Sequence, residues 1–234
     1  MISFIVPAYN EEAELPGTLR AIHSAGIGYE CEIVLVNDGS TDSTAAIGEQ
    51  FAARVISIER RQIAAARNAG AKAAHGDIFI FVDADTRIGP THVQGTIAAL
   101  ENGFVGGGSR LAFDGEIPPW GKVMFDVFSI LYFGLNLGAG AFLFTTRENF
   151  FAAGGFDEIY FAGEEVFFTV ALKRLGKFTL LREPAITSGR KLRMYSVWKV
   201  LGGLLSVLCG GPRGVMSRKK LEMWYGGERE KPAS

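Results

Sequence analysis

Short apolar runs alternating with helical stretches, and polar clusters at the carboxyl ends of those runs, predict an α/β protein. The expected core is a doubly wound, mostly parallel sheet flanked by helices. Residues 2–6 and 33–36 are rich in β-branched side chains, 55–58 is a weaker run, and 78–82 ends at two acids. Between them three stretches carry helical signals: 11–24, opened by Asn10 with acids in its first turn; 43–51, with Thr41 or Asp42 as cap; and the Ala-rich 63–74, ended by His75-Gly76. At 234 residues the chain can bury a substantial core within one large domain.

Lys and Arg number 24 against 25 Asp and Glu, so no overall field draws the chain to nucleic acid, and no nucleic-acid partner is expected. The two cysteines, Cys31 and Cys209, lie far apart in apolar surroundings, unlike a metal pair or a disulfide framework. The N-terminus opens as a strand rather than as a secretory signal. A reducing, cytoplasmic setting is therefore expected.

Three clusters follow the strands: Pro7-Ala8-Tyr9-Asn10-Glu11-Glu12, Asn37-Asp38-Gly39-Ser40-Thr41-Asp42 and Asp83-Ala84-Asp85. Two carboxylates at i and i+2 past a strand end can reach one hard cation, Mg²⁺ or Mn²⁺, that keeps sites free for a substrate's phosphates. Gly39 permits a tight turn, and Asp38 can accept a hydrogen bond from a pyrimidine ring N–H or a ribose hydroxyl. Asn10, Ser40 and Asp42 also suit helix capping. Arg67-Asn68-Ala69-Gly70 puts a cation and an amide on the helix leading toward the acidic strand. There Arg67 either helps neutralise a diphosphate or is a solvated helical arginine.

The segments Ile5-Val6-Pro7-Ala8-Tyr9-Asn10-Glu11-Glu12, Val36-Asn37-Asp38-Gly39-Ser40-Thr41-Asp42, Ala66-Arg67-Asn68-Ala69-Gly70 and Asp83-Ala84-Asp85 resemble, in order and spacing, the family 2 glycosyltransferases. Gly154-Gly155-Phe156-Asp157-Glu158 and Gly163-Glu164-Glu165 are similar to that family's acceptor-side segment, so the resemblance covers about residues 1–190. It implies a single GT-A domain over 1–190, with a nucleotide-sugar-binding half (1–100) and an acceptor half (101–190). It further implies hexosyl or N-acetylhexosaminyl transfer with inversion from a nucleotide-diphosphate sugar, as in cell-envelope polysaccharide or glycolipid synthesis. Pro7, Ala8, Tyr9, Glu11 and Asp38 would surround the nucleoside, and Asp83, Ala84 and Asp85 would hold ribose, metal and diphosphate. A uridine donor is expected, read by Asp38.

Inverting transfer needs a base that takes the acceptor's proton, and a carboxylate within hydrogen-bond reach serves. Adjacent acids at the start of the helix predicted over 165–175 point in different directions, so one can touch the acceptor while the other orients it or caps the helix. Glu165 stands where the family usually has aspartate and is the expected base, but the change from Asp to Glu leaves the choice between Glu164 and Glu165 open.

Many relatives carry a metal-binding histidine after the last strand and then a Gln/Arg-x-x-Arg-Trp segment. Here Thr187-Ser188-Gly189-Arg190-Lys191-Leu192-Arg193-Met194 keeps the charge and the i, i+3 spacing in Arg190 and Arg193, without histidine or tryptophan. Arg190 and Arg193 are expected to clamp the diphosphate; the alternative is a solvated basic turn. The 20 uncharged residues 127–146 have the length of a membrane span, but a crossing would split one catalytic unit. A helix followed by a buried strand over 141–145 is expected instead. Residues 191–225 form an amphipathic, basic extension and 226–234 a tail. Residues 195–220 suit a membrane surface, where the chain would sit at the cytoplasmic face, and equally suit core or oligomer packing.

Against a dinucleotide-dependent oxidoreductase, no G-x-G-x-x-G follows the first strand. Against a nucleotidylyltransferase, no Gly-rich basic loop stands there. A non-catalytic nucleotide-sugar-binding or membrane-associated protein derived from a transferase survives on the missing histidine and the altered base motif. The sugar and the saccharide, lipid or small-molecule acceptor are not encoded in any motif of 110–138.

Overall fold

The computed structural model describes residues 1–194 and residue 216. The extension and tail expected beyond residue 194, and membrane contact through 195–220, lie outside the described residues apart from that one position. Among the described residues eight strands form one sheet. Its first half is the predicted alternation: β1 (Ile2–Ala8), α1 (Leu15–Ala25), β2 (Cys31–Asp38), α2 (Thr44–Gln50), β3 (Arg54–Ile58), α3 (Ile63–Ala73) and β4 (Ile78–Val82). These strands pair in parallel, with β1 between β2 and β4.

Alternate side chains feed two cores, one on each face of the sheet. Phe4, Val6, Ile80 and Val82 pack with Leu15, Leu19 and Ile22 of α1, while Ile5, Phe79 and Phe81 pack with the alanines of α3 and with Phe150, Phe156 and Phe168. A Cβ on Gly70 would stand 2.4 Å from Ile5 Cγ2, so only glycine lets α3 lie this close to the sheet. That approach sets the depth at which Arg67, three residues earlier, enters the molecule.

Helix α1 begins four residues later than expected. Pro16 lacks an N–H and is accommodated in a helix's first turn, which puts the start at Leu15. Asn10 therefore does not open α1. It adopts φ 50°, accepts the Thr41 N–H at 2.8 Å and donates its own N–H to Ser40 Oγ at 3.0 Å, stitching the first two clusters together. Ser43 is the residue preceding α2, but Asp42 Oδ1 accepts the Thr44 N–H at 3.0 Å, so the capping chemistry expected of Asp42 is present one position upstream.

The second half adds β5 (Thr86–Arg87), α4 (Pro90–Glu101), β6 (Gly106–Phe113), α5 (Pro119–Gly134), β7 (Phe142–Thr146), α6 (Arg147–Ala152), α7 (Glu164–Leu175), β8 (Phe178–Thr187) and the short α8 (Arg190–Met194). The uncharged run 127–146 divides as expected, into the end of α5 and the buried β7. Among the described residues no helix is long and apolar enough to cross a membrane. Strand β7 is inserted antiparallel between β4 and β6, and β6 runs parallel to β8. The Gly106-Gly107-Gly108 start of β6 makes room for this: a Cβ on Gly107 would meet Phe144 Cζ at 2.3 Å. The two-residue β5 pairs with the end of β8, so the loop carrying Asp83 and Asp85 is held against Thr187 and Ile186.

Candidate active site

A cleft of about 540 Å³ opens at the carboxyl ends of β1, β2 and β4. Its walls include Pro7, Ala8, Tyr9, Glu11, Asp38, Arg67, Asp83, Ala84, Asp85, Glu164, Glu165 and Arg190. The topology thus gathers residues drawn from positions 7 to 190 into one cavity. Arg193 is absent from that wall. Its guanidinium donates to the Asp114 carbonyl at 3.1 Å and pairs with the Asp114 carboxylate at 3.5 Å, so it braces the segment after β6.

The Asp83-Ala84-Asp85 loop is fixed from several sides. Thr18 Oγ donates to the Ala84 carbonyl at 2.8 Å, and the Ser188 N–H donates to the Asp85 carbonyl at 3.1 Å. Each acid faces an arginine: Asp83 Oδ1 lies 2.8 Å from Arg67, and Asp85 Oδ2 lies 3.1 Å from Arg190. Burial, with Asp85 adding to it and Arg67 opposing, pushes the Asp83 carboxyl up to about 6.

Arg67 is not a solvated helical arginine; it is 1% exposed. Its guanidinium reaches Glu164 Oε1 at 2.6 Å, Asp83 Oδ1 at 2.8 Å and the Gly140 carbonyl at 3.0 Å, which turns its charge onto protein acids rather than toward a ligand. The next residue of the same motif is also a brace. Asn68 accepts the Phe156 N–H at 2.9 Å and donates to the Phe156 carbonyl at 2.8 Å and to Glu158 at 3.0 Å, holding the glycine-rich turn before α7.

Glu164 and Glu165 sit in the first turn of α7, after Gly163 in the left-handed region at φ 73°. Successive helical residues diverge by about 100°. Glu164 is buried against Arg67, whereas Glu165 is half-buried on the cleft wall. Burial first, and then the neighbouring Glu164, push the Glu165 carboxyl up to about 8 against the pull of Arg67. The Tyr132 hydroxyl of α5, also on the cleft wall, donates to the Gly138 carbonyl at 3.0 Å.

Asp38 is 4% exposed and accepts three backbone N–H groups at 2.7 Å: those of Arg60 and Arg61 on Oδ1 and that of Gln62 on Oδ2. It therefore shapes the turn after β3 as well as lining the cleft. That turn carries a residue the motifs did not reveal. The Arg61 guanidinium lies 3.4 Å from the centre of the Tyr9 ring, and the Arg61 backbone is at φ 51°. Its signal was its place at the carboxyl end of a strand. The far wall is apolar: Leu111 and Phe113 of β6, and Met124, Phe125, Phe128 and Tyr132 of α5.

The acidic pair suits a divalent cation. Asp83 and Asp85 each use one oxygen for a guanidinium, and among the described residues Asp85 Oδ1 has a long 3.5 Å contact from the Thr187 hydroxyl. Hard carboxylate oxygens of this kind fit Mg²⁺ or Mn²⁺. Among the described residues no group of three or more His, Cys, Asp or Glu is placed to hold a metal alone, so a ligand's oxygens would have to complete the shell.

The family model for glycosyl transferase family 2 matches residues 3–157. The chain belongs to this family. It is 36% identical over 113 residues to an undecaprenyl-phosphate 4-deoxy-4-formamido-L-arabinose transferase of Pseudomonas fluorescens, covering 44% of this chain and 33% of that protein. It is 32% identical over 125 residues to a dolichol-phosphate mannosyltransferase of Pyrococcus furiosus, covering 51% and 36%. The match therefore spans about a third of each relative's length. Among solved structures, a mannosyltransferase from Pyrobaculum calidifontis in complex with GDP-Man and Mn²⁺ superposes with a TM-score of 0.67 at 20% identity, covering 88% of this chain and 61% of that one. S. aureus TarS 1-349 in complex with UDP-GlcNAc superposes at 0.64 with 20% identity, covering 90% and 66%. These glycosyltransferases share the GT-A fold with this chain.

Proposed function

We propose that this family 2 glycosyltransferase moves a glycosyl group from a nucleotide-diphosphate sugar to an acceptor oxygen in a single inverting displacement, assisted by Mg²⁺ or Mn²⁺. The observation that carries this reading is that one cleft joins the Asp83/Asp85 strand end to a carboxylate, Glu165, at the start of α7. Tyr9, Glu11 and Asp38 would bound the nucleoside, and Asp83 and Asp85 would hold the metal. When bound, that cation would neutralise the charge of the departing diphosphate. Glu165 would take the acceptor's proton, that of a hydroxyl or of a phosphate still singly protonated, as its oxygen attacks the anomeric carbon and the bond to the diphosphate breaks. A carboxyl pushed up toward 8 suits that task, because proton transfer is most effective when the base titrates near the working pH.

The relatives named for undecaprenyl-phosphate and dolichol-phosphate, together with the apolar wall of β6 and α5, favour an acceptor with an apolar body, such as a lipid phosphate. For the donor, a uridine nucleotide is our choice, with Asp38 reading the base. The structural neighbours hold both uridine and guanosine sugars, so competition between UDP- and GDP-sugars decides that point. The test of the whole reading is transfer or slow donor hydrolysis across a panel of nucleotide sugars with and without Mn²⁺, with product configuration read by NMR. Binding without any turnover would favour the non-catalytic alternative, and a product that keeps the donor's configuration would refute the single displacement.

A further inference from the structure

We propose that Gln62 is a positioning residue that ties the nucleoside side of the cleft to the loop leading to the candidate base. This inference rests on the reading of Glu165 as base given above. Gln62 precedes α3, at the position where Ser, Thr, Asp or Asn commonly caps a helix, yet its side chain makes no capping bond. It is 5% exposed and reaches across the molecule instead: Nε2 donates to the Glu158 carbonyl at 2.5 Å and to the Tyr160 carbonyl at 3.3 Å, 96 and 98 residues along the chain. Two facing carbonyls fix the orientation of the amide, because only its nitrogen can donate. The Gln62 backbone is held as well, its N–H donating to Asp38 Oδ2 at 2.7 Å. One residue thus spans from the acid assigned to the base of the nucleotide to the loop before α7.

That loop determines where Glu165 stands. From Tyr160 the chain runs through Phe161, Ala162 and Gly163, all on the cleft wall, into the first turn of α7. The Tyr160 ring also lies flat on Phe167 of α7, with ring centres 3.8 Å apart and planes 4° from parallel. A shift of the Tyr160 main chain therefore reaches α7 by two routes. The neighbouring side-chain ties stop earlier in the loop: Asn68 holds Phe156 and Glu158, and Arg60 meets the Glu158 carboxylate at 3.2 Å in an exposed pair, of a kind that holds little. The buried amide of Gln62 carries the tie onward to Tyr160. Small displacements matter here, since misplacing a reacting group by about 1 Å can cost a factor of about 10² in rate.

The test is nucleotide release from UDP-GlcNAc and GDP-Man by the full chain with Mn²⁺, with water and with farnesyl phosphate as acceptors. Gln62→Met keeps the length of the side chain but cannot donate. It should lower kcat by about 10- to 10²-fold and leave the affinity for UDP or GDP unchanged, because the backbone N–H that Asp38 holds is retained. Gln62→Asn keeps the amide but, one methylene shorter, draws it back from both carbonyls, and should fall between wild type and the Met variant. In a Glu165→Gln background, Gln62→Met should cost almost nothing further in kcat, since residues that act through one group are not additive. Near-wild-type kcat in both Gln62 variants, full multiplication of the two losses, or a loss of nucleotide affinity equal to the loss of kcat would overturn the proposal and leave the base assignment standing. A wild type that releases no nucleotide with either acceptor would overturn both. Should Gln62→Met fail to fold, Gln62→Asn, alone and in the Glu165→Gln background, decides by the same outcomes.

Discussion

Replacing Arg67 by Met removes a charge that two separate elements depend on. Arg67 bridges Asp83, at the end of β4, and Glu164, 97 residues later at the start of α7. Met keeps the packing of the aliphatic stem but leaves both acids without a cation, and taking one partner from a buried ion pair costs about 3–5 kcal/mol. For a chain of this size each kcal/mol lowers Tm by about 2–4 °C, so a drop of roughly 6–20 °C is expected. The loss should depend on pH. Asp83 is raised to about 6 even with Arg67 present, and without that cation it must rise further. A carboxyl raised in the folded state contributes stability that is complete below its unfolded value, near 4, and disappears as pH climbs through the folded value. The variant should therefore trail wild type only slightly at pH 4–5 and by the full amount at pH 8, as measured by urea or thermal melts. Arg67→Lys should recover part of the loss, since an ammonium keeps the charge but not the fork. A deficit below about 1 kcal/mol, the value of an exposed pair, or one that does not change with pH would refute the bridging role.

Asp85→Ala should abolish Mn²⁺-dependent nucleoside-diphosphate binding in calorimetry while leaving the circular dichroism spectrum intact, because Arg190 keeps Glu11 as its partner. Asp38→Asn should cost about 1–3 kcal/mol and weaken nucleotide binding, since a single amide oxygen cannot accept all three backbone N–H groups; wild-type stability in urea would contradict this. Glu165→Gln should lower turnover by about 10² to 10⁴ with donor affinity unchanged. The same variant should melt above wild type at pH 9 and close to it at pH 4–5. A carboxyl raised to about 8 in the folded protein withdraws stability as pH climbs from its unfolded value, near 4, toward that folded value. Gly107→Ala should destabilise by about 1–3 kcal/mol through overpacking against Phe144, measured by the same melts.

The parallel half of the sheet was legible because β1, β2 and β4 are largely buried on both faces and read as mostly apolar runs, each leading into a polar cluster. The start of α1 was misread because two acids and Asn10 look like a helix start, whereas Pro16 decides it. Strand β6 was not legible at all. Its opening Gly106-Gly107-Gly108 reads as a loop until Phe144, more than thirty residues on, supplies the reason for the missing side chains. The roles of the arginines were hidden for a related reason. That Arg67 serves Glu164, Arg190 serves Glu11 and Arg193 serves Asp114 are facts of topology, and local charge patterns carry no trace of partners so far along the chain.

The Glu164-Glu165 pair shows how that hidden topology bears on chemistry. The motif alone offers two equivalent carboxylates, and no helical propensity separates them. The separation comes from α3, whose glycine and alanines let it sit deep enough on the sheet for Arg67 to reach the first turn of α7. Once one glutamate is committed to that guanidinium, the next residue is rotated by about 100° and faces the cleft. Its charge is then opposed by burial and by Glu164, and only partly relieved by Arg67. The same arginine holds Asp83, so a single buried side chain sets both the proposed metal side of the cleft and the proposed base side. On this reading the Ala66-Arg67-Asn68-Ala69-Gly70 motif acts without touching substrate: Arg67 positions two acids, Asn68 fixes the turn before α7, and Gly70 makes the close approach that both require.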